Sequence, residues 1–505
     1  MVAVSWASGR ERPVLPAVKC VILWKPPGTG SRRLRPGGGA IKRRRSAVAG
    51  AGRHPKQGKS SLVKPSLRRL FANAVYLFGG SAAAMALALL QTLILARTLG
   101  PAQFGIWSGV QAYVLVAYSL CTFRTSEPVT RYLVEYRERR ERSLMELLLG
   151  SALATDAVTR CLSLVVIAAT VPWLAAELPG GSAAIPLYLL IGAGQVGALF
   201  DQVWFSVARD LGRYRAIATL NAVFPLIRVA GLGGLWLGGA LTLSSAAWLM
   251  AAAGTAQGVI TGLWLFRAMA DGYEVRLHGL TAARVVARRR EIGAFWSFMG
   301  ATFFSSICSS MIKEADTLIL GFFRSAEEVG YYRLGKSLAA AVMRVGEMLA
   351  QVIYQDFSEL VVRRDLTEVR RRVLLLCRTW LPLVAAGTVV GIVIARPLIV
   401  TVFGAAYEPS TLTLQVLLVA SGVVTMLFWV RPIVLALELY WYTFRITVVQ
   451  GVVLMPLNVF MCYAYGVPGA TATLALSWIA GYAALLWPMA TRLSAAACRA
   501  AEASR

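Results

Sequence analysis

Histidine, cysteine and charge are all scarce in this chain, and each scarcity excludes something. Its 505 residues hold two histidines, His54 and His278, so a histidine-based catalyst or zinc centre has almost no material. The seven cysteines are scattered without a CxxC pair, and most lie in apolar segments, so isolated core thiols are expected rather than disulfides or metal ligands. Charged residues make up 15% of the chain, well below the roughly 25% of a soluble domain. What is abundant is apolar surface: 57% of residues are hydrophobic and mean hydropathy is +0.61. Apolar runs of 20 or more residues recur from about residue 72 to 490, which excludes a soluble enzyme and a disordered scaffold. The chain reads as a polytopic membrane protein.

Acids are also few. Lys and Arg number 52 against 25 Asp and Glu, and residues 1–70 hold 17 of the bases against Glu11 alone. That stretch carries Pro26-Pro27-Gly28, Gly37-Gly38-Gly39 and Lys42-Arg43-Arg44-Arg45, with no period that would build a core. We expect a disordered, basic cytoplasmic tail near anionic headgroups, without the plan of a signal peptide. A P-loop is excluded by counting, because five residues separate Gly52 from Gly58-Lys59-Ser60 where four are needed.

Twelve apolar spans follow, at roughly 74–96, 105–123, 147–174, 185–206, 216–236, 244–266, 294–320, 331–353, 376–395, 411–430, 446–465 and 468–490. Each is long enough to cross about 30 Å of hydrocarbon as a helix, the default fold in lipid. Loops after the odd-numbered spans hold only Arg97, Arg324 and Arg396, whereas the even loops carry Arg-rich runs such as Arg288-Arg289-Arg290 and Arg370-Arg371-Arg372. Positive charge stays inside, so both termini are expected in the cytoplasm. The expected domains are the tail 1–70, a six-helix lobe 71–266, a basic cytoplasmic linker 267–293, a second six-helix lobe 294–490 and a cytoplasmic tail 491–505. A faint repeat supports the division. Span 1 runs into Leu99-Gly100 and Phe104-Gly105-Ile106-Trp107, and span 7 into Leu320-Gly321 and Val329-Gly330-Tyr331-Tyr332. Halves of equal orientation are related by an axis along the membrane normal.

Ionisable side chains inside the spans cost about 2.5–3.5 kcal/mol each at the bilayer centre unless paired or hydrated. In span 8, Arg333, Lys336, Ala340, Arg344, Glu347 and Gln351 fall three or four residues apart, on one helix face. Span 7 repeats the pattern with Thr302, Ser305, Ser306, Ser309, Lys313 and Asp316. Two adjacent polar stripes predict a hydrated cavity; packing glue is the alternative. In the first half, Asn221 and Arg228 share a face of span 5, Asp156 and Arg160 are placed to neutralise each other on span 3, and Asp201 lies towards the cytoplasmic side of span 4. Lys313, Glu314, Asp316, Arg333 and Lys336 also read as a salt-bridge cluster closing the outer end.

Ala96-Arg97-Thr98-Leu99-Gly100-Pro101-Ala102-Gln103-Phe104-Gly105 resembles the first turn of bacterial polysaccharide-export flippases. Asp316–Gly321 with Val329–Tyr332, Phe403–Tyr407 and Gly466–Ala470 match further stretches, in consistent order over about 70–490. These flippases belong to the multidrug/oligosaccharidyl-lipid/polysaccharide exporter superfamily. The resemblance implies an all-α integral membrane fold: twelve transmembrane helices in two six-helix lobes related by pseudo-two-fold symmetry, V-shaped around a central cavity. It implies a transporter in the bacterial inner membrane that flips a polyprenyl-diphosphate-linked oligosaccharide outward by alternating access. No catalytic constellation, cofactor or nucleic-acid partner is expected. The expected partners are the lipid-linked oligosaccharide, membrane lipids, a glycan polymerase and glycosyltransferases.

Within that frame Arg228, Lys336 and Arg344 are the expected diphosphate clamp, since cations in a low-dielectric cavity replace lost hydration. Asn221, Ser305, Ser309, Lys313 and Arg333 are expected to line the cavity, with Trp107 as a stacking surface, and Asp201, Asp316 or Glu347 to couple movement to an ion gradient. A multidrug or cation antiporter is the alternative. A membrane enzyme is disfavoured, since the longest outer loop has only about 15 residues and no paired-Asp motif occurs.

Overall fold

The computed structural model describes residues 67–273, 288, 290–362, 366–437 and 439–503; most of the basic tail and the middle of the linker lie outside these. All regular structure among the described residues is helical. The principal helices in chain order are α1 (Leu67–Cys121), α2 (Ser126–Glu138), α3 (Arg142–Leu174), α4 (Ile185–Gly197), α5 (Asp201–Asp210), α6 (Tyr214–Leu237) and α7 (Leu243–Tyr273). They continue as α8 (Gly293–Phe323), α9 (Ala326–Val362), α10 (Leu366–Leu398), α11 (Ser410–Met426), α12 (Val430–Ala436), α13 (Tyr440–Tyr465) and α14 (Val467–Ala503). α14 continues to Ala503, so the described part of the expected C-terminal tail is helical.

Among the described residues nine helical stretches, with Gly181–Asp210 through α4 and α5 taken as one, are long and apolar enough to cross a membrane, or ten if α11 and α12, bent by 41°, form one span. That tally takes α1 as one helix and leaves out α9, whose face carries Arg333, Lys336, Arg344 and Glu347. In α1 the chain breaks at Gly100, whose φ of 73° suits a residue without Cβ, and Pro101 follows without an N–H to lose. It reverses there. Gly80 packs on Ala218 near the start of α6, Gly105 lies against Ala326 at the opposite end, and Phe123 returns to stack on Phe303.

The two halves echo one another beyond this turn. The fourth span of each is broken, between α4 and α5 in the first and between α11 and α12 in the second. The helix that follows each broken span carries an internal proline, Pro225 in α6 and Pro456 in α13. One element was not foreseen. The loop after span 2 contains α2, which buries Val129, Tyr132, Leu133 and Tyr136 at helical spacing and keeps its arginines outside. At this basic end Glu368 receives Arg371 and Arg372 at 2.7 and 2.9 Å, which hold its carboxyl down at about 2. A depressed carboxyl keeps its pairing above the ordinary range and loses it only as pH falls through that value.

The cores show how the halves meet. At the Gly100 end a single cluster joins both: Leu95, Phe104, Trp107 and Leu178 pack with Leu320, Val329, Tyr332 and Tyr407. At the basic end there are two separate cores. One centres on Leu133, Leu148, Val203 and Trp204, the other on Phe357, Trp429, Val430 and Leu485. Two bundles sealed together at one end and independently packed at the other form a V. The seal is backbone-close: a Cβ on Gly105 would stand 1.6 Å from the Ala326 carbonyl oxygen, and one on Gly330 2.3 Å from that of Pro101. Tyr407 donates to the Ala96 carbonyl at 2.9 Å and Arg97 to that of Val402 at 3.1 Å, both across the halves.

Candidate functional site

The polar residues inside the spans fall into three groups. The first lies within the first bundle. Asp201 opens α5, where an acid suits the helix N-terminus, and accepts from Gln257 at 2.8 Å and Thr261 at 3.2 Å. The other end of Gln257 accepts from Arg228 at 2.8 Å, so one amide joins base and acid. Asp156 and Arg160 form no ion pair with each other, contrary to the local neutralisation expected. Thr125 donates to both carboxylate oxygens of Asp156, while Arg160 reaches the Gln195 carbonyl at 2.6 Å and covers the Tyr118 ring.

The second group lines a cavity of about 260 Å³ at the seam of the bundles. Gln91 and Thr92 of α1 form one wall; Glu314 of α8 and Arg333, Lys336 and Arg344 of α9 form the other. Arg333 pairs with Glu314 at 3.0 Å. Lys336, buried, gives its ammonium to both oxygens of Asp316 at 2.7 and 3.0 Å and to the Lys313 carbonyl at 2.6 Å. Tyr332 and the Thr317 backbone complete the Asp316 shell. Lys336 is therefore a neutralised cation, in line with the salt-bridge reading of this cluster and not with a free member of the clamp, because an unpaired ammonium at this depth is costly. Arg344 is different. It is exposed to the cavity and has no partner among the described residues, so the wall carries one surplus positive charge.

The third group surrounds a chamber inside the second bundle. Two neighbouring cavities of about 420 and 200 Å³ share Met343, Glu347, Arg431 and Tyr482 as lining. The smaller also meets Ser309 and Lys313. Glu347 and Arg431 are both exposed there and form no ion pair. Arg431 was missed because the apolar run ends at residue 430, whereas the broken span continues as α12 and carries it inward.

The expected convergence of Arg228, Lys336 and Arg344 on one vestibule is thus corrected: Lys336 and Arg344 share the seam cavity, and Arg228 is engaged inside the first bundle. Asn221 is exposed on α6 and lines none of these cavities, and the side chain of Ser305 lies outside the described residues. Trp107 is buried in the sealed core rather than open for stacking. Of the acids considered for ion coupling, Asp316 is saturated, Asp201 is held by two donors, and Glu347 is open.

The fold is shared with solved transporters, among them members of the MOP superfamily. An inward-facing multidrug resistance MATE family transporter of that superfamily is similar over 83% of this chain and 98% of its own, with a TM-score of 0.64 at 12% identity. The lipid II flippase MurJ in an inward closed conformation is similar over 82% and 87%, with a TM-score of 0.64 at 11% identity. An outward-facing multidrug resistance MATE family transporter scores 0.56 over 85% and 96%, at 14% identity. No curated protein sequence is significantly similar. The family model described as "Polysaccharide biosynthesis protein" matches residues 70–361. That is more than half of the chain, which belongs to this family.

Proposed function

We propose that the protein flips a polyprenyl-diphosphate-linked oligosaccharide from the inner to the outer leaflet of the bacterial cell membrane by alternating access. The observation that carries this reading is the surplus cation of the seam cavity. A diphosphate leaving water needs replacement donors, and Arg344 offers a guanidinium unused by any protein acid. Arg333 and Lys336 flank it with charges already balanced, which lets the cavity stay folded when empty. A surplus base disfavours the cation-exporting alternative.

With basic loops inside, both termini are cytoplasmic and the sealed Gly100 end faces outward. The conformation is then inward-facing, in keeping with the higher scores to the inward-facing MATE transporter and to MurJ. Counting the two limbs of α1, both broken spans and α9, we read twelve crossings. The family description supports a polysaccharide precursor as cargo, delivered by glycosyltransferases and consumed by a glycan polymerase.

Purified protein reconstituted in vesicles with a fluorescent polyprenyl-diphosphate-linked glycan tests this. Loss of a charged hydrogen bond of about 1.5–3 kcal/mol should slow flipping roughly 10- to 100-fold in Arg344→Ala, with partial recovery in Arg344→Lys. Equal rates in parent and Arg344→Ala would remove the clamp. Arg228→Ala is also expected to reduce transport, but through the first bundle: lipid affinity should hold while stability falls.

A further inference from the structure

We propose that the chamber inside the second bundle is a carbohydrate subsite, holding the sugar units while the seam cavity holds the diphosphate. The inference rests on the reading above for the identity of the ligand. Four observations carry it.

The chamber offers a charged acceptor and a charged donor that do not satisfy each other. Glu347 and Arg431 line the same space, both exposed, yet stand apart unpaired, unlike Arg333–Glu314 and Lys336–Asp316 beside them. In a low-dielectric bundle, opposite charges collapse together unless something polar lies between them. With Lys313 on the smaller part, the wall offers one strong acceptor and two strong donors, which suits hydroxyl groups, able to donate and accept at once.

The walls pair this polarity with aromatic faces. Tyr482 borders both parts of the chamber, Tyr354 and Phe428 border the larger, and Trp478 the smaller. A sugar ring presents C–H faces between equatorial hydroxyls, so it packs on an aromatic surface while its rim makes hydrogen bonds. An acyl chain would leave Glu347 and Arg431 buried and unsatisfied, which excludes it as the occupant.

A buried polar atom is left waiting. Thr425 is 7% exposed, lines the larger part, and its Oγ1 has no hydrogen-bond partner among the described residues. A buried hydroxyl without a partner is costly and marks a place where a ligand completes the bonding. The larger part, about 420 Å³, also falls within the 300–1,000 Å³ usual for small-molecule sites.

The two sites adjoin on one helix. Arg344 faces the seam cavity, whereas Met343 and Glu347 face the chamber. Three residues along a helix is a rise of about 4.5 Å. A diphosphate at Arg344 therefore lies within a sugar's length of the chamber wall at Glu347.

The test uses the full chain in nanodiscs and three probes: undecaprenyl diphosphate, lipid-linked oligosaccharides extracted from the native membrane, and the free glycans released from these by mild acid. Tyr482→Ala and Arg431→Ala should weaken free-glycan and lipid-linked binding tenfold or more and leave undecaprenyl diphosphate binding unchanged. Glu347→Gln, which keeps the shape, should weaken free-glycan binding several-fold with an unaltered unfolding midpoint. Free-glycan binding unchanged in all three variants overturns the subsite, as does equal weakening for all three probes. Arg344→Ala separates the two readings: it should weaken both lipids and spare the free glycan. If undecaprenyl diphosphate binds neither the parent nor Arg344→Ala while chamber variants still lose the free glycan, the subsite stands and the flippase reading falls.

Discussion

Gly105→Ala is expected to open the end of the protein that is closed here. The added methyl would meet the Ala326 carbonyl oxygen at 1.6 Å and its carbon at 2.5 Å. Both are backbone atoms, so no rotamer change relieves the clash. The two bundles must part at the seal or one helix must shift bodily. Overpacking of this kind costs about 1–3 kcal/mol, and only the sealed state bears it. A difference of that size shifts a two-state population about 5- to 150-fold. Gly330→Ala, whose Cβ would stand 2.3 Å from the Pro101 oxygen, should act in the same direction. Accessibility reads the shift: a cysteine at Thr92, in the seam cavity, should react with a membrane-impermeant maleimide from the face opposite the basic loops. Gly233→Ala, with nothing within 4 Å, is the control and should label like the parent. Unchanged labelling of Gly105→Ala would mean that this contact does not gate the cavity.

Asp316→Ala should be the most destabilising single substitution in the second bundle. It strips Lys336 of both carboxylate bonds and leaves a buried ammonium with a carbonyl and a distant hydroxyl. Breaking a buried pair from one side typically costs about 3–5 kcal/mol. A fall in unfolding temperature, followed by tryptophan fluorescence in detergent, checks this. The companion Asp316→Ala/Lys336→Met should recover most of that loss, because the stranded charge is gone. An Asp316→Ala protein as stable as the parent would show that the ammonium finds water, and that the pair is no structural lock.

The sequence makes helix existence and facing legible, because both leave a period in the residue pattern. The polar stripe of α9 was readable in this way, as was the turn at Gly100, where a glycine precedes a proline between two apolar runs. Partners across helices leave no such period. That Lys336 meets Asp316 depends on how α8 and α9 are rotated and shifted against each other, and spacing along either chain says nothing of that. Arg228 misled for the same reason, since Gln257 on α7 captures it. Arg431 and α12 were lost for another: Arg431 ends the apolar run at residue 430, so the short apolar helix that continues past it looked like loop. Trp107 carried an aromatic signal that burial in the sealed core and solvent exposure would satisfy equally well.

The helix Gly293–Phe323 has its ends embedded in different bodies. Phe295 and Met299 sit in the basic-end core of the first bundle, and Leu320 in the joint core at the far end. A straight rod cannot stay seated in both sockets while the bodies rock. Each transport cycle must therefore bow this helix or pull its first turns free, and the Phe123–Phe303 stack is the clasp that such a movement would undo. The stiffness of thirty-odd residues, rather than the mass of either half, would then set how far the V can swing.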